Sequence, residues 1–542
     1  MATSEQSGAY GTRPAAVGSL ASLLWEGRPL IGLAATLFTA IGHTMNFREM
    51  AVAHGWVPAV FYILQSAYLA AVAMALLAAP TLGHHLSSYA ATQLGFVLAI
   101  AGSFLNGLAI WAPFPIFVIG RSIAGAGAGL VIYFTPFLLK DRYRPALSWV
   151  MILSPVAGPG VIAAFTMSHG VSDWEWGFLW EGISAVGGFL LLWPLPPTVQ
   201  SSPKPPRGSP AYLAPLALSC VPLIYLMHWG QLQGWLESPD IVWSSFAVAV
   251  AWAVALWLAW PHIDFPVLRE NWTRLAVYCF GGICQFFHAL TMNVYGGSIV
   301  NFSSWQRAWL IWPMPIGIGV ALAMPHLPWR RPWKLGWPGA VVGLLLLAAG
   351  LYLGLDQTKD WPFWQILNTP DLNWFAAPTH WELAPGRFLM GLGVGLFMLA
   401  VATLTSPDVR REAEVRPFFS IAQFVGATLG TGLFVNFLLI GQLVHYSYSA
   451  DRGFIQPDEL ARRHAVLRDE FRRQGEVNPD RAAEVLLYRF VRYEAENMIY
   501  ATIYGVFLVA SLVLAGLCLV FWIWPRPMPV GLLSPAPEVR RL

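Results

Sequence analysis

The chain has 542 residues, of which 56% are hydrophobic and only 11% are charged. A soluble domain carries about 25% charged residues, so this composition excludes an ordinary soluble protein and indicates one that spans a membrane. The net charge of +3 gives no basis for a nucleic-acid partner. The four cysteines all lie in apolar runs and suit neither a disulfide framework nor a metal site.

Apolar runs long enough for a transmembrane helix, about 20 residues each, recur along the whole chain. They predict an all-α polytopic membrane protein with fourteen spans, at roughly 29–50, 57–80, 90–110, 114–139, 148–168, 177–195, 211–228, 241–260, 274–295, 306–324, 337–355, 384–404, 417–440 and 499–523.

The fourth of these spans contains an unusual phrase, Arg121-Ser-Ile-Ala-Gly-Ala-Gly-Ala-Gly129. An arginine inside an apolar span is costly and indicates a functional site. Glycines four residues apart clear one helix face for close approach by a neighbour; here these are Gly125 and Gly129, with Gly127 between them. The phrase recurs 266 residues further on (387 − 121), where Arg387 is followed by Gly391 and Gly395.

This repetition of the motif predicts two related six-span bundles. The first occupies 29–197 and the second 263–525, with a linker and two inserted spans at 198–262 between them and tails at 1–28 and 526–542. Two parallel repeats around a central site are a transporter architecture, in which one half rocks against the other.

Positive charge lies on one side of this arrangement. Eighteen Lys and Arg residues fall in the tails and the even-numbered connections, whereas the short odd-numbered connections contain only Arg307 and Lys359. The positive-inside rule therefore predicts cytoplasmic termini in a plasma or inner membrane. The long connection 446–497 carries nearly balanced charge and is assigned to the outer side, where apolar residues near helical spacing predict two amphipathic helices. It is either a solvated charged loop or a docking surface for a partner.

Several motifs resemble those of the major facilitator superfamily, and within it the fourteen-span drug:proton antiporters of the EmrB/QacA type. Arg121 to Gly129 is similar to the fourth-span motif, Trp149 to Gly160 with Gly158-Pro159 to the fifth-span antiporter motif, and Trp174-Glu-Trp-Gly-Phe178 to the sixth-span signature. The resemblance covers essentially the whole chain and implies a major facilitator fold, proton-coupled efflux and, in a host with an outer membrane, a periplasmic adaptor protein. The family's first-span Asp has no counterpart here, and the motif after span 2 lacks its acidic and basic residues.

Few charged groups remain at membrane depth, and they are the candidates for proton coupling. A proton-coupled carrier needs a group that changes protonation as access alternates, either a carboxylate near an arginine or a histidine. The candidates are Arg121, Glu181, Glu49, Arg48, His43, His288 and Arg387.

Each of these candidates has a simpler alternative. Arg48 and Glu49 could form a hydrated ion pair at the outer mouth, and Glu181 could reach the membrane interface. His288 could be a packing residue. Arg121 and Arg387 could bond backbone carbonyls between helices.

Uncharged polar residues in the predicted cavity helices are candidates for substrate binding: Asn46, Gln65, Gln285, Asn293 and Gln423. The sequence contains no Gly-x4-Gly-Lys-Ser/Thr phosphate loop and no metalloprotease or esterase motif. We therefore predict neither an enzyme nor a cofactor, but a secondary transporter that exchanges amphipathic or drug-like compounds for protons across the bilayer. Two alternatives stay open: a proton-independent facilitator or importer of a small metabolite, and a non-transporting scaffold that docks a partner through 446–497.

Overall fold

The computed structural model describes residues 20–39, 58–108, 113–139, 175–193, 210–230, 232–262, 275–284, 304–324, 336–359, 380–403, 409–455 and 457–523, together with 50, 272, 291 and short pieces between 146 and 158. Its helices are α1 (Leu20–Thr39), α2 (Pro58–Leu82), α3 (Ser88–Leu108), α4 (Phe114–Leu138), α5 (Glu175–Leu192), α6 (Leu213–Trp229), α7 (Pro239–Ala259), α8 (Ser304–Ile311), α9 (Pro313–Ala323), α10 (Gly336–Lys359), α11 (His380–Thr403), α12 (Val409–Ile455), α13 (Pro457–Arg473) and α14 (Pro479–Ile523). A further apolar helix covers Leu275–Cys284.

Within the described part of the chain, eight helices are long and apolar enough to cross a membrane. Four shorter apolar helices accompany them, and each of the twelve coincides with a predicted span. The chain is thus an integral membrane protein built of helices. Most of predicted span 5 and half of span 1 lie outside the described residues, so the count of fourteen spans stays a prediction. Helix α1 begins at Leu20, inside the segment predicted as a tail, because apolar Leu20, Leu23, Leu24 and Trp25 precede the span.

The glycine phrases pack in the same way in both halves. A Cβ at Gly125 of α4 would overlap the Tyr68 carbonyl of α2, and a Cβ at Gly391 of α11 would overlap the Met314 carbonyl of α9. These glycines are 266 residues apart (391 − 125), the spacing of the repeated phrase. Glycine is required at such positions because only it lets two backbones approach this closely.

The remaining glycines of the phrase repeat this relation. Gly127 of α4 lies against Gly95 and Ala99 of α3, and Gly393 of α11 lies against Gly343 and Leu347 of α10. Gly129 and Gly395 meet the next turns of α2 and α9. Each arginine-bearing helix is therefore packed between two helices that precede it in the chain, α2 and α3 for α4, and α9 and α10 for α11.

An aromatic and aliphatic cluster joins the two bundles at one end. It contains Tyr62, Phe117 and Phe178 from the N-terminal bundle together with Phe434 and Ile499 from the C-terminal bundle. The rings of Tyr62 and Phe434 meet edge to face with their centroids 5.3 Å apart. We call this group the bridging cluster, and it holds the two bundles together at this end.

The inserted helices lie beside the bundles as a pair. Helix α6 packs against α2 of the N-terminal bundle and α12 of the C-terminal bundle, while α7 packs mainly against α6. Only 11% of the apolar window of α7 is buried. Its exposed surface includes Trp243, Phe246 and Trp257, which suits a helix that faces lipid.

The last three helices extend beyond a bilayer. Helix α12 has 47 residues and is about 70 Å long at 1.5 Å per residue, more than twice the ~30 Å hydrocarbon core. Gly475, with φ of 79°, lies in the turn that follows α13. Helix α13 packs against α14 through Leu467, Ala483 and Leu487. We call the projecting structure formed by the end of α12, by α13 and by the start of α14 the hairpin. The side of the membrane on which it lies is the hairpin side. The second predicted amphipathic segment is continuous with α14 and is not a separate helix.

Candidate functional site

A buried ion pair lies inside the N-terminal bundle. The guanidinium of Arg121 on α4 donates a hydrogen bond to Oε2 of Glu181 on α5 over 2.5 Å. The Arg121 side chain is 0% exposed and that of Glu181 is 5% exposed. Glu181 is therefore enclosed by protein. The alternative in which its side chain reaches the membrane interface does not describe this arrangement.

Aromatic rings enclose this ion pair. The Arg121 guanidinium carbon lies 4.2 Å from the centroid of the Tyr68 ring and 5.8 Å from that of Phe178. A ring face attracts a cation, and the attraction strengthens where water is excluded. The hydroxyl of Ser103 lies close to the Glu181 carboxylate without making a regular hydrogen bond. The pair, which joins α4 to α5, thus also lies against Tyr68 of α2 and Ser103 of α3, and its two side chains are almost fully enclosed.

The pair is nearer to the hairpin side than to the opposite side. Arg121 is seven residues into α4 and Glu181 six residues into α5, so each lies about 10 Å from its helix start. Phe117, one turn before Arg121, and Phe178, one turn before Glu181, both belong to the bridging cluster. The cluster consequently covers the ion pair on the hairpin side.

The matching position in the C-terminal bundle has different chemistry. Arg387 is seven residues into α11 and 3% exposed, but it donates to the Leu310 carbonyl over 2.6 Å. It also interacts with the hydroxyl of Tyr504 on α14. The carbonyl-bonding alternative therefore describes Arg387, whereas Arg121 has a carboxylate partner.

Glu181 is distinctive among the acids of the described spans. Glu175, Asp240 and Glu382 are the first, second and third residues of their helices. Glu496 is buried as well, but it precedes the candidate span Met498–Ile523. Glu181, by contrast, is buried inside the apolar helix Gly177–Leu192. In the described part of the chain no group of three or more His, Cys, Asp or Glu side chains could hold a metal ion.

The other predicted residues divide into those the structure describes and those it leaves out. Gln65 on α2 is fully buried, and its amide has no hydrogen-bond partner among the described residues. Gln423 on α12 and Gly158 are buried. Outside the described residues lie His43, Asn46, Arg48, Glu49, Pro159, Gln285, His288 and Asn293.

Sequence reasoning missed the two tyrosines that face the arginines. Tyr68 and Tyr504 each lie in an apolar run, where a tyrosine is indistinguishable from a packing aromatic. The only signal was their position on spans that neighbour an arginine-bearing span in each bundle.

The described helices resemble those of solved transporter structures. A crystal structure of an auto-inhibited peptide transporter of the POT family matches with a TM-score of 0.52 and 13% sequence identity, over 94% of this chain and 99% of that chain. At this identity the likeness concerns the fold alone, and this chain shares the fold of that transporter.

Two structures of the xylose transporter XylE from E. coli also match this chain. The partially occluded inward-open form has a TM-score of 0.45 and 13% identity, over 76% of this chain and 92% of that one. The inward-open form has a TM-score of 0.44 and 14% identity, over 75% and 88%. No protein-family model matches the sequence, and no curated protein matches it.

Proposed function

We propose that this protein is a secondary transporter that exports amphipathic or drug-like compounds in exchange for protons. The observation that carries the proposal is the enclosed Arg121–Glu181 pair at membrane depth. Ionisable residues inside a membrane are rare because burying them is costly, and they mark ion and substrate pathways. The major facilitator fold supplies the two halves that alternating access requires.

Glu181 is the proposed proton carrier because it is the member of the pair that can lose its charge. Arginine keeps its proton under all physiological conditions, whereas a carboxylate can accept one. Arg121 donates the 2.5 Å hydrogen bond to Glu181, and a nearby positive charge favours the ionised form of a carboxyl group. Proton binding would neutralise Glu181 and weaken that bond.

The bridging cluster supports a route for the proton. Phe117 and Phe178 cover the pair on the hairpin side. Separation of the bundles at this end would part these rings from Phe434 and Ile499 and admit water to Glu181. The carboxylate would then exchange its proton with the hairpin side, and closure of the cluster would isolate it again.

The orientation follows from the charge distribution. With both termini cytoplasmic, as the positive-inside rule predicts, the hairpin side is the outer side. Protons would enter from outside as the exported compound leaves, so the proton gradient would drive export. The adaptor protein that the antiporter resemblance implies would meet the protein through the hairpin.

Gln65 is the proposed polar contact for the substrate. Its buried amide has no partner among the described residues, and it lies one turn before Tyr68, the ring over Arg121. An unpaired buried amide is costly, and a substrate hydroxyl, carbonyl or amine would relieve that cost. Apolar surroundings and few charges favour amphipathic compounds.

The proposal is tested with purified protein in liposomes and ethidium as the amphipathic probe. An imposed pH gradient should drive ethidium across the membrane, and dissipation of the gradient with an ionophore should stop net transport. Gln65→Leu should weaken ethidium binding, with Thr428→Val as a matched buried-polar control on α12. Ethidium transport that is equally fast without a gradient would favour the proton-independent facilitator and contradict the proposal.

A further inference from the structure

The inserted helix α6 bonds to both bundles at the same end. Nε2 of His228 lies 2.9 Å from the Ser66 hydroxyl on α2. The neighbouring Met227 carbonyl accepts a hydrogen bond of 2.6 Å from the Asn436 amide on α12. Two successive residues of the insert thus connect the N-terminal bundle to the C-terminal bundle on the hairpin side.

These contacts are built into the helix packing. Ser66 is fully buried and His228 is 3% exposed, so water does not compete for their hydrogen bond. On the other side of the insert, Gly432 lies one turn before Asn436, and a Cβ there would overlap the side chain of Met227. Helix α12 therefore has a notch at Gly432 that receives Met227.

We propose that α6 is a latch that holds the two bundles together on the hairpin side. The bundles can separate at this end only if one of the two connections to α6 breaks. The latch lies outside the bridging cluster and adds to it, and it assigns a conformational role to the inserted helix pair. Its effect on transport rests on the proposed function, but its existence does not.

The two connections differ in how easily they break. The Asn436 amide also donates to the Gly432 carbonyl of its own helix over 2.9 Å, so it keeps a partner when Met227 leaves. The Ser66–His228 contact offers the histidine no such alternative, because its other ring nitrogen has no partner in the described structure. The insert should therefore release α12 and travel with the N-terminal bundle.

The test measures distances between spin labels on purified full-length protein, without substrate or gradient. The native cysteines are first replaced, and labels are placed at exposed residues of the hairpin-side helix ends, Leu108 of α3 and Tyr352 of α10. Asn436→Leu should raise the ratio of separated to joined bundles about threefold, the usual worth of one hydrogen bond between membrane helices. Gly432→Leu should raise it further by filling the notch.

Thr428→Val is the matched control, because the Thr428 hydroxyl bonds only the Phe424 carbonyl of its own helix. An unchanged ratio in both Asn436→Leu and Gly432→Leu would overturn the latch. A rise that Thr428→Val reproduces would overturn it as well, since the effect would then be general loosening of α12.

A third label distinguishes which bundle carries the insert. With a label at Trp243 of α7, the distance to Leu108 should stay constant in Asn436→Leu while the distance to Tyr352 lengthens. The reverse pattern would show that the insert travels with the C-terminal bundle and would overturn this part of the proposal. Ethidium transport is measured separately, so failure of the latch and failure of the proposed function give different results.

Discussion

Replacing Glu181 and replacing Arg121 should lower the free energy of unfolding by different amounts. Glu181→Gln leaves a fully buried arginine charge without its carboxylate, and arginine has no neutral form to retreat to. Loss of one partner of a buried pair costs about 3–5 kcal/mol. Arg121→Met leaves a carboxyl group that can take up a proton and become neutral, so the cost falls to about 1–3 kcal/mol for a buried, poorly bonded polar group.

Removing both charges should restore most of the stability. Arg121→Met combined with Glu181→Leu replaces the pair with apolar side chains next to Tyr68 and Phe178, and such replacements of buried pairs are often neutral or stabilising. The predicted order of thermal stability is therefore wild type close to the double variant, then Arg121→Met, then Glu181→Gln.

The assay is thermal unfolding of the purified protein in detergent, followed by the fluorescence of its 27 tryptophans. Glu237→Gln, an exposed acid in the connection between α6 and α7, is the control and should unfold with the wild type. Equal stability of Glu181→Gln and the wild type would refute the reasoning, because it would mean that the Arg121 charge does not need its buried partner.

Three further predictions concern the rest of the molecule. Arg387→Met should lower the unfolding temperature, because the Leu310 carbonyl loses its donor, yet leave the pH dependence of ethidium transport unchanged; an altered pH dependence would contradict the structural role. On α9, Gly317→Ala should reduce the yield of folded protein because its Cβ would meet the backbone of α11, whereas Gly319→Ala, with open space around it, should be tolerated; similar yields would refute the close-packing argument. In the hairpin, Leu467→Asp should speed proteolysis of α13, while Val466→Asp should not, since these neighbours are 2% and 60% exposed; equal protection would contradict the packing of α13 on α14.

The close helix contacts at the two glycine phrases were predictable from the sequence because their signal is local. Arginine followed by glycines at four-residue spacing specifies both a buried charge and a close helix contact within one span, as at Gly125 and Gly391. The offset between the two phrases also predicts the register of the two bundles, and that division of the chain stays a prediction.

The partner of Arg121 was not predictable in the same way. Glu181 is 60 residues away, and its proximity depends on how α4 and α5 pack, so it was one of several acids and histidines that fitted. The Ser66–His228 contact joins residues 162 apart of types that also serve as ordinary packing residues. No spacing in the sequence distinguishes such a pair.

The lengths of α12 and α14 exceeded the predicted spans for a simple reason. Apolar composition defines where a helix can lie in lipid, but it does not decide where the helix ends. No proline occurs between Pro417 and Pro457, or between Pro479 and the end of α14, and proline is a strong helix terminator. Helix α12 therefore continues into the charged connection as far as Ile455, shortly before Pro457. Helix α14 begins in the same connection at Pro479, after the turn at Gly475.

The most direct test of the central claim compares wild type and Glu181→Gln in ethidium transport by liposomes, with and without an imposed pH gradient. The account predicts that the wild type accumulates ethidium only when the gradient is present. It predicts that folded Glu181→Gln, confirmed by monodisperse elution, exchanges ethidium without any response to the gradient. Gradient-driven accumulation by Glu181→Gln at the wild-type rate would contradict the assignment of proton coupling to this buried carboxylate.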